Sequence, residues 1–109
     1  MELSFATSRL RSICESRRTA KTALGEDAAR ELAIRLADFV AATTVAELSD
    51  LFGDDIIDRP PLERSFRLQT GYNLIFRAGH VTPPIDADGT TDWAQVTRIQ
   101  VVALKARNA

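Results

Sequence analysis

The apolar residues of this chain change their spacing at Gly53, and that change decides what it can fold into. Before Gly53 they recur every three or four residues, and after it every second one, the periods of a helix face and of a strand face. Ala28, Ala29, Leu32, Ile34, Leu36, Phe39 and Val40 form one apolar stripe, with Arg30, Glu31, Arg35 and Asp38 opposite. This predicts a long helix reaching about Ala42. Gly25 breaks the chain before it, and Glu26 and Asp27 suit the positive end of its dipole. Upstream, Leu3 and Phe5 alternate within residues 1–7 as a short strand. Ser8 then caps a helix through about Glu15, carried by Leu10, Ile13 and Cys14, and Ser16 to Thr19 reads as its frayed end. Downstream of the long helix, Thr44 and Glu47 stand at capping-box spacing. Leu48, Leu51 and Phe52 give a short helix an apolar side before Gly53 stops it.

Past Gly53 the signals are those of strands. Residues 55–59 contain Ile56 and Ile57, and Pro60-Pro61 then interrupts pairing, so this strand is short or lies at a sheet edge. Residues 65–69 and 72–77 predict a hairpin around Thr70-Gly71. Residues 78–92 hold two glycines, two prolines and three aspartates, a long loop suited to mobility or partner contact. Trp93 after it is expected to pack on the sheet edge. Residues 96–104 form a last strand, with Ile99 and Val101 suited to a buried central place. The whole, residues 1–109, reads as one α+β domain with helices segregated from a mostly antiparallel sheet.

Fourteen basic and fifteen acidic residues leave a net charge of −1, which gives no whole-molecule attraction for phosphate backbones or anionic membranes. By region the balance separates. Residues 9–35 carry seven positive and four negative charges, and residues 47–58 carry five negative and none positive. Residues 59–77 carry four arginines against one glutamate, residues 86–92 three aspartates, and residues 98–107 three cations and no acid. Arg59, Arg64, Arg67, Arg77, Arg98 and Arg107 can therefore meet on one sheet face, since adjacent strands lie about 4.8 Å apart. Such a face would suit phosphates. The chain also uses twelve Arg to two Lys, and solvent-facing strand positions need polar residues of some kind, so charge pattern alone leaves both readings open.

One cysteine cannot form an internal disulfide, which agrees with a reducing compartment, and the apolar neighbours of Cys14 predict a buried thiol. No apolar stretch approaches the roughly 20 residues of a membrane span, and the first residues lack a signal-peptide core. A cytoplasmic protein without a membrane partner is expected. One Cys and one His without a carboxylate pair beside them make no metal site. Neither a glycine-rich phosphate loop nor a GxSxG elbow occurs, and no cofactor is expected. His80 is the one obvious acid–base candidate, while Asp54-Asp55 reads as a solvated turn.

Four stretches resemble the HigB-type killer proteins of the RelE/ParE toxin superfamily: residues 3–15 (LSFATSRLRSICE), Ala28-Ala29-Arg30-Glu31-Leu32 with Arg35-Leu36, Tyr72-Asn73-Leu74-Ile75-Phe76, and Asp92-Trp93-Ala94-Gln95-Val96-Thr97. In order, they span nearly the whole chain. The resemblance implies a RelE-like fold, N-terminal helices packed on a small mostly antiparallel sheet. It also implies the toxin of a bacterial type II toxin–antitoxin module, a metal-free, ribosome-dependent mRNA endoribonuclease that inhibits translation and arrests growth. The implied partners are a helix-turn-helix (HigA-type) antitoxin, the ribosome and mRNA, with operator DNA reached only through the antitoxin. The antitoxin interface is expected on the acidic 47–58 segment and the outer helix faces. In such cleavage a 2′-hydroxyl attacks the adjacent phosphate, basic groups stabilise the developing charge, and another group protonates the leaving oxygen.

Carried onto this chain, the resemblance aligns Arg59 and Asn73 with family site positions; with Arg77 and His80, chosen for their proximity in sequence, Arg59 is a catalytic candidate, and Arg64, Arg67, Asn73, Arg98 and Arg107 are the candidate RNA contacts. Arg59 stands where the family often has Lys, which keeps the charge and alters its geometry. Asn73 replaces the Arg of a Tyr-Arg-Leu-Ile-Phe strand, and Lys105-Ala106-Arg107-Asn108-Ala109 replaces a terminal Asp-Tyr-His. Arg64, Arg67 or Arg77 would then supply the lost charge and His80 the proton. These departures keep other functions open: a different target such as gyrase, a catalytically degenerate antitoxin-binding protein, or an interaction domain outside the family.

Overall fold

Three hydroxyls decide where helices begin. In the computed structural model, which describes residues 1–107, Thr7 accepts from the Leu10 amide at 3.1 Å, Ser16 from Thr19 at 3.2 Å and Thr44 from Glu47 at 3.3 Å. Each cap satisfies an N–H that the first helical turn leaves without a partner and contributes about 1 kcal/mol. The helices are α1 (Ser8–Glu15), α2 (Arg17–Leu24), α3 (Glu26–Ala41) and α4 (Val45–Phe52). Thr7 rather than Ser8 is therefore the first cap. Ser16 opens a separate helix where a frayed end was expected, because its side-chain oxygen restarts the hydrogen-bonding pattern one residue after α1 ends. At α4 the Glu47 carboxylate reaches back to the Thr43 amide at 3.1 Å, one residue outside the cap itself.

Five strands form one sheet: β1 (Glu2–Phe5), β2 (Ile56–Arg59), β3 (Glu63–Arg67), β4 (Tyr72–Ala78) and β5 (Arg98–Ala106), in the order β1-β5-β4-β3-β2. Only β1 and β5 run parallel. The proline pair leaves β2 at the edge, as its lost donors require. The hairpin is real, but β3 starts two residues earlier than the alternation suggested. Leu68 belongs to the turn, donating to Tyr72 O at 2.8 Å and accepting from Gly71 N at 3.3 Å, with Gly71 at a φ of 108°. β5 likewise starts at Arg98, after a single 3-10 turn at Trp93–Gln95. It occupies the central place expected of it, with Ile99 and Val101 fully buried between β1 and β4.

One sheet face carries Phe66, Leu74, Phe76, Ile99 and Val101 against Leu32, Leu36 and Phe39 of α3. Phe39 meets Phe76 edge-on at 5.2 Å between centroids and Phe66 at 5.8 Å, Phe52 meets Phe66 at 5.0 Å, and Trp93 meets Phe76 at 5.9 Å. Trp93 thus packs into the core beside β4 rather than on the sheet edge. Ile34, Val40 and Leu51, counted with the apolar stripes of their helices, point to solvent instead. Short aliphatics at these angles lie beyond the arc of α3 and α4 that the sheet covers.

Glu31 ties α3 to the hairpin turn, accepting from the Gln69 amide at 2.7 Å, the Thr70 amide at 2.9 Å and the Thr70 hydroxyl at 2.6 Å. Burial pushes its carboxyl upward, but these bonds and nearby Arg35 outweigh burial and hold it below the ordinary glutamate range. A depressed carboxyl stabilises the fold above its unfolded pKa and loses that contribution as pH falls through the folded value. Glu31→Gln is therefore expected to lower the urea midpoint at neutral pH, and the gap to wild type should close well below about pH 4.3. A gap independent of pH would contradict this role. Cys14 is driven the other way: burial, then the Glu15 charge, push its thiol up to about 11, so it stays protonated and poorly nucleophilic near neutrality. Among the described residues no helix is long and apolar enough to cross a membrane.

Candidate functional site on the open face of the sheet

Because successive side chains alternate across a strand, the residues between the core positions stand on the face without helices. The registers arrange them in rows. One row runs Arg59, Glu63, Arg77, Gln100 and Ser4 across all five strands. The next holds Ile57, Ser65, Ile75 and Ala103, and a third holds Arg67, Asn73 and Lys105. The first and third rows are four residues apart along β3 and β4, about 13 Å. Arg98 and Glu2 pair just beyond the first row. Two basic rows therefore flank a middle row whose Ser65 and Ile75 are buried, with the Ser65 hydroxyl lacking a hydrogen-bond partner.

Of the six arginines expected on one face, Arg59, Arg67, Arg77 and Arg98 share it. Arg64 does not. It shares the core-facing side of β3 with Phe66, where Nε meets Asp58 at 3.3 Å, Nη1 donates to Ser49 Oγ at 2.8 Å, and the guanidinium lies 4.8 Å from the Trp93 ring centre. Its even spacing from Phe66 is the reason. Arg107 follows the end of β5 and folds over the hairpin: Nη1 donates to Tyr72 O at 2.6 Å and Asn73 Oδ1 at 2.8 Å, and Nη2 to Leu68 O at 2.6 Å. Its fork clamps the turn and occupies the Asn73 carbonyl, so both residues act structurally here. Asn108 and Ala109 lie outside the described residues.

The first basic row ends in a cleft of about 360 Å³, where Arg77 and His80 come together with Gln100, Ser4 and Thr91. Arg77 donates from Nε to Gln100 Oε1 at 2.7 Å, which fixes the guanidinium across the β4–β5 seam. His80 Nε2 accepts the Thr97 amide at 3.0 Å, leaving the ring proton on Nδ1. Gly79 allows this approach: a Cβ there would stand 2.9 Å from the Ile99 carbonyl carbon and 3.0 Å from its oxygen. Arg59 is in the same row but two strands away, bridged to Glu63 at 3.9 Å. The three residues assigned catalytic roles thus divide into a pair in one cleft and a third at its flank.

Ser4, Gln100, Gly79 and Lys105 were not singled out in the sequence. Gln100 had a signal, since it alternates with the apolar Ile99 and Val101. Ser4 had the same signal between Leu3 and Phe5, but its place beside Gln100 depends on the parallel β1–β5 pairing, and Gly79 had none, because its place depends on the close β4–β5 approach. Chemically the cleft offers a guanidinium, an amide, hydroxyls and an imidazole N–H, a donor-rich set suited to an anionic oxygen. Its one imidazole, His80, presents Nδ1–H while Nε2 is taken by the Thr97 amide. Among the described residues no group of three or more His, Cys, Asp or Glu is placed to hold a metal ion. Comparison of the chain with protein-family models, with curated proteins and with solved structures finds no match.

Proposed function

We propose that this protein is the toxin of a type II toxin–antitoxin module, of the RelE-like HigB type, and cleaves ribosome-bound mRNA without a metal. The observation that supports it best is the meeting of Arg77 and His80 in one cleft at the end of a basic sheet face. A phosphate seated there would receive hydrogen bonds from Arg77 and from His80 Nδ1–H that stabilise the charge developing as the 2′-hydroxyl attacks, while solvent water takes the hydroxyl proton and supplies one to the departing oxygen. Arg59, Arg67, Arg98 and Lys105 on the same face would hold the flanking phosphates. The partner is then a helix-turn-helix antitoxin, and the site of action the cytoplasmic ribosome. Inducible expression tests this. Growth should stop, and primer extension should show new 5′ ends in translated mRNA. Arg77→Ala, still folded, should cut about 100-fold more slowly. Soluble wild-type protein that neither arrests growth nor generates cuts would refute the reading.

A second reading is favoured by one specific observation. His80 is the cleft's only proton-transfer group and Nε2 is already bonded, so acid and base are not both present. A degenerate member that binds its antitoxin without cleaving would show no cuts, yet would still form the complex. A gyrase-directed member would instead inhibit supercoiling.

A further inference from the structure

We propose that the outer face of the helix layer is a self-association surface, on which a second copy of this chain docks about a twofold axis running along α3. Ala33, Ile34, Ala37, Val40 and Ala41 recur at three- and four-residue spacing on the side of α3 turned away from the sheet. Ile34 is 50% exposed and Val40 59%. The charges nearest this stripe are already paired: Arg30 with Glu26 at 3.8 Å, and Arg35 with Asp38 at 2.7 Å. On one flank Arg17 and Ala20 of α2 line a cavity with Ala29 and Ala33. On the other, the Arg35 guanidinium lies 5.1 Å from the ring centre of Phe52 in α4. Positions 33 and 35 stand about 160° apart around a helix, so α2 and α4 lie on opposite sides of the stripe.

Charge selects the occupant. α2 exposes Arg17, Arg18 and Lys21 and carries no acid, while α4 and the turn after it expose Glu47, Asp50 and Asp54 and carry no cation. None of these six forms a salt bridge among the described residues. Across the layer the order is therefore basic, apolar, acidic, a pattern that is its own complement. Rotation about an axis parallel to α3 lays α2 of each copy against α4 of the other and α3 on α3. Rotation about an axis across the helices would lay cation on cation. The alanines at 33, 37 and 41 let the two α3 backbones approach closely, and Leu51, 69% exposed, adds apolar area on the α4 side. A helix of 16 residues flanked by two of eight gives a face of roughly 500 Å², below the ~800 Å² per partner of a standard interface. The dimer is thus reversible, with a dissociation constant in the micromolar range. It leaves the open sheet face and the Arg77 cleft uncovered, and it stands independently of mRNA cleavage.

Sedimentation of the full chain between about 5 and 500 μM tests this. The average mass should climb from monomer towards dimer and stop there, and added salt should weaken the association. Ala37→Glu, an exposed position with thermal melting as the control, should weaken it at least about tenfold. The charge pattern has its own test. Arg17→Glu/Arg18→Glu and Asp50→Lys/Asp54→Lys should each fail to dimerise alone, and an equimolar mixture of the two should recover the dimer, because each swapped helix then meets its complement. Recovery on mixing also shows that both variants are folded. A chain that stays monomeric throughout overturns the proposal, whether or not it adheres to another protein or to phosphatidylglycerol vesicles. So do association that survives Ala37→Glu, swapped variants that stay apart when mixed, and growth past the dimer. None of these readouts depends on RNA cleavage, so the two proposals fail separately.

Discussion

Replacing Phe39 by alanine is expected to destabilise the fold by about 3–5 kcal/mol, the range for emptying a buried aromatic site. Phe39 is fully buried on α3, and its ring packs on both Phe66 and Phe76, the core aromatics of neighbouring strands β3 and β4. It is thus the side chain that joins the long helix to the centre of the sheet. Its loss removes apolar burial and both ring contacts at once, and strands paired on both sides cannot collapse into the space. Domains of this size have a total stability of about 5–15 kcal/mol, so the variant should be partly unfolded at 37 °C. Urea denaturation followed by circular dichroism checks this: the midpoint should fall sharply with an unchanged slope. A change under about 1 kcal/mol would show that α3 is held mainly by its ends, through Glu31 and the caps.

Gly79→Ala should have the second large effect, on the site as well as on stability. The methyl group would be driven against the Ile99 carbonyl and to 3.2 Å from the Gln100 amide nitrogen, backbone atoms of β5 that a rotamer change cannot move. Gly79 also donates to Arg98 O at 2.7 Å, which prolongs the β4–β5 ladder past Ala78. Relief requires the strands to part just where Arg77 reaches Gln100 and His80 reaches Thr97. The expected cost is about 1–3 kcal/mol, together with loss of the His80 bond, visible as a shifted imidazole resonance. Gly89→Ala is the comparison. It is strained by a φ of 85° but meets nothing within 4 Å, so it should cost less and leave His80 undisturbed. Equal effects from the two substitutions would mean that the close approach of β4 and β5 does not shape the cleft.

Much of the secondary structure was legible because local chemistry dictates it. The three-and-four spacing from Ala28 to Phe39, the Thr44 cap, the proline pair after Arg59 and the glycine turn at Gly71 each specify their own segment. Where local signals failed, two local options competed. Ser16 can end one helix or begin another, and Ser8 and Thr7 can both cap. Ile34, Val40 and Leu51 match an apolar stripe in type but lie outside the covered arc, and only the packed neighbours show which arc that is.

The candidate site was legible in its ingredients and not in its assembly. Alternation places Arg67 and Arg77 with certainty on the face opposite Phe66 and Phe76, once those two are known to be core. It equally places Arg64 on the core-facing side, a consequence of odd and even numbering that charge counting by region overlooks. Arg107, past the end of a strand, has no alternation to follow, and the carbonyls of Leu68 and Tyr72 claim it.

By itself the sequence determined the α+β class, the change of period at Gly53, that β2 is short or at an edge, and the basic character of the strands, because each follows from bonds and side chains within a few residues. Tertiary structure alone decided that Arg59 and Arg98 join Arg67 and Arg77 across the strands, that His80 lies beside the Arg77–Gln100 pair, and that Asp50, Asp58 and Asp86 line one cleft. Those outcomes depend on strand order and register, which join residues such as Arg77 and Gln100, 23 positions apart, that no local spacing connects.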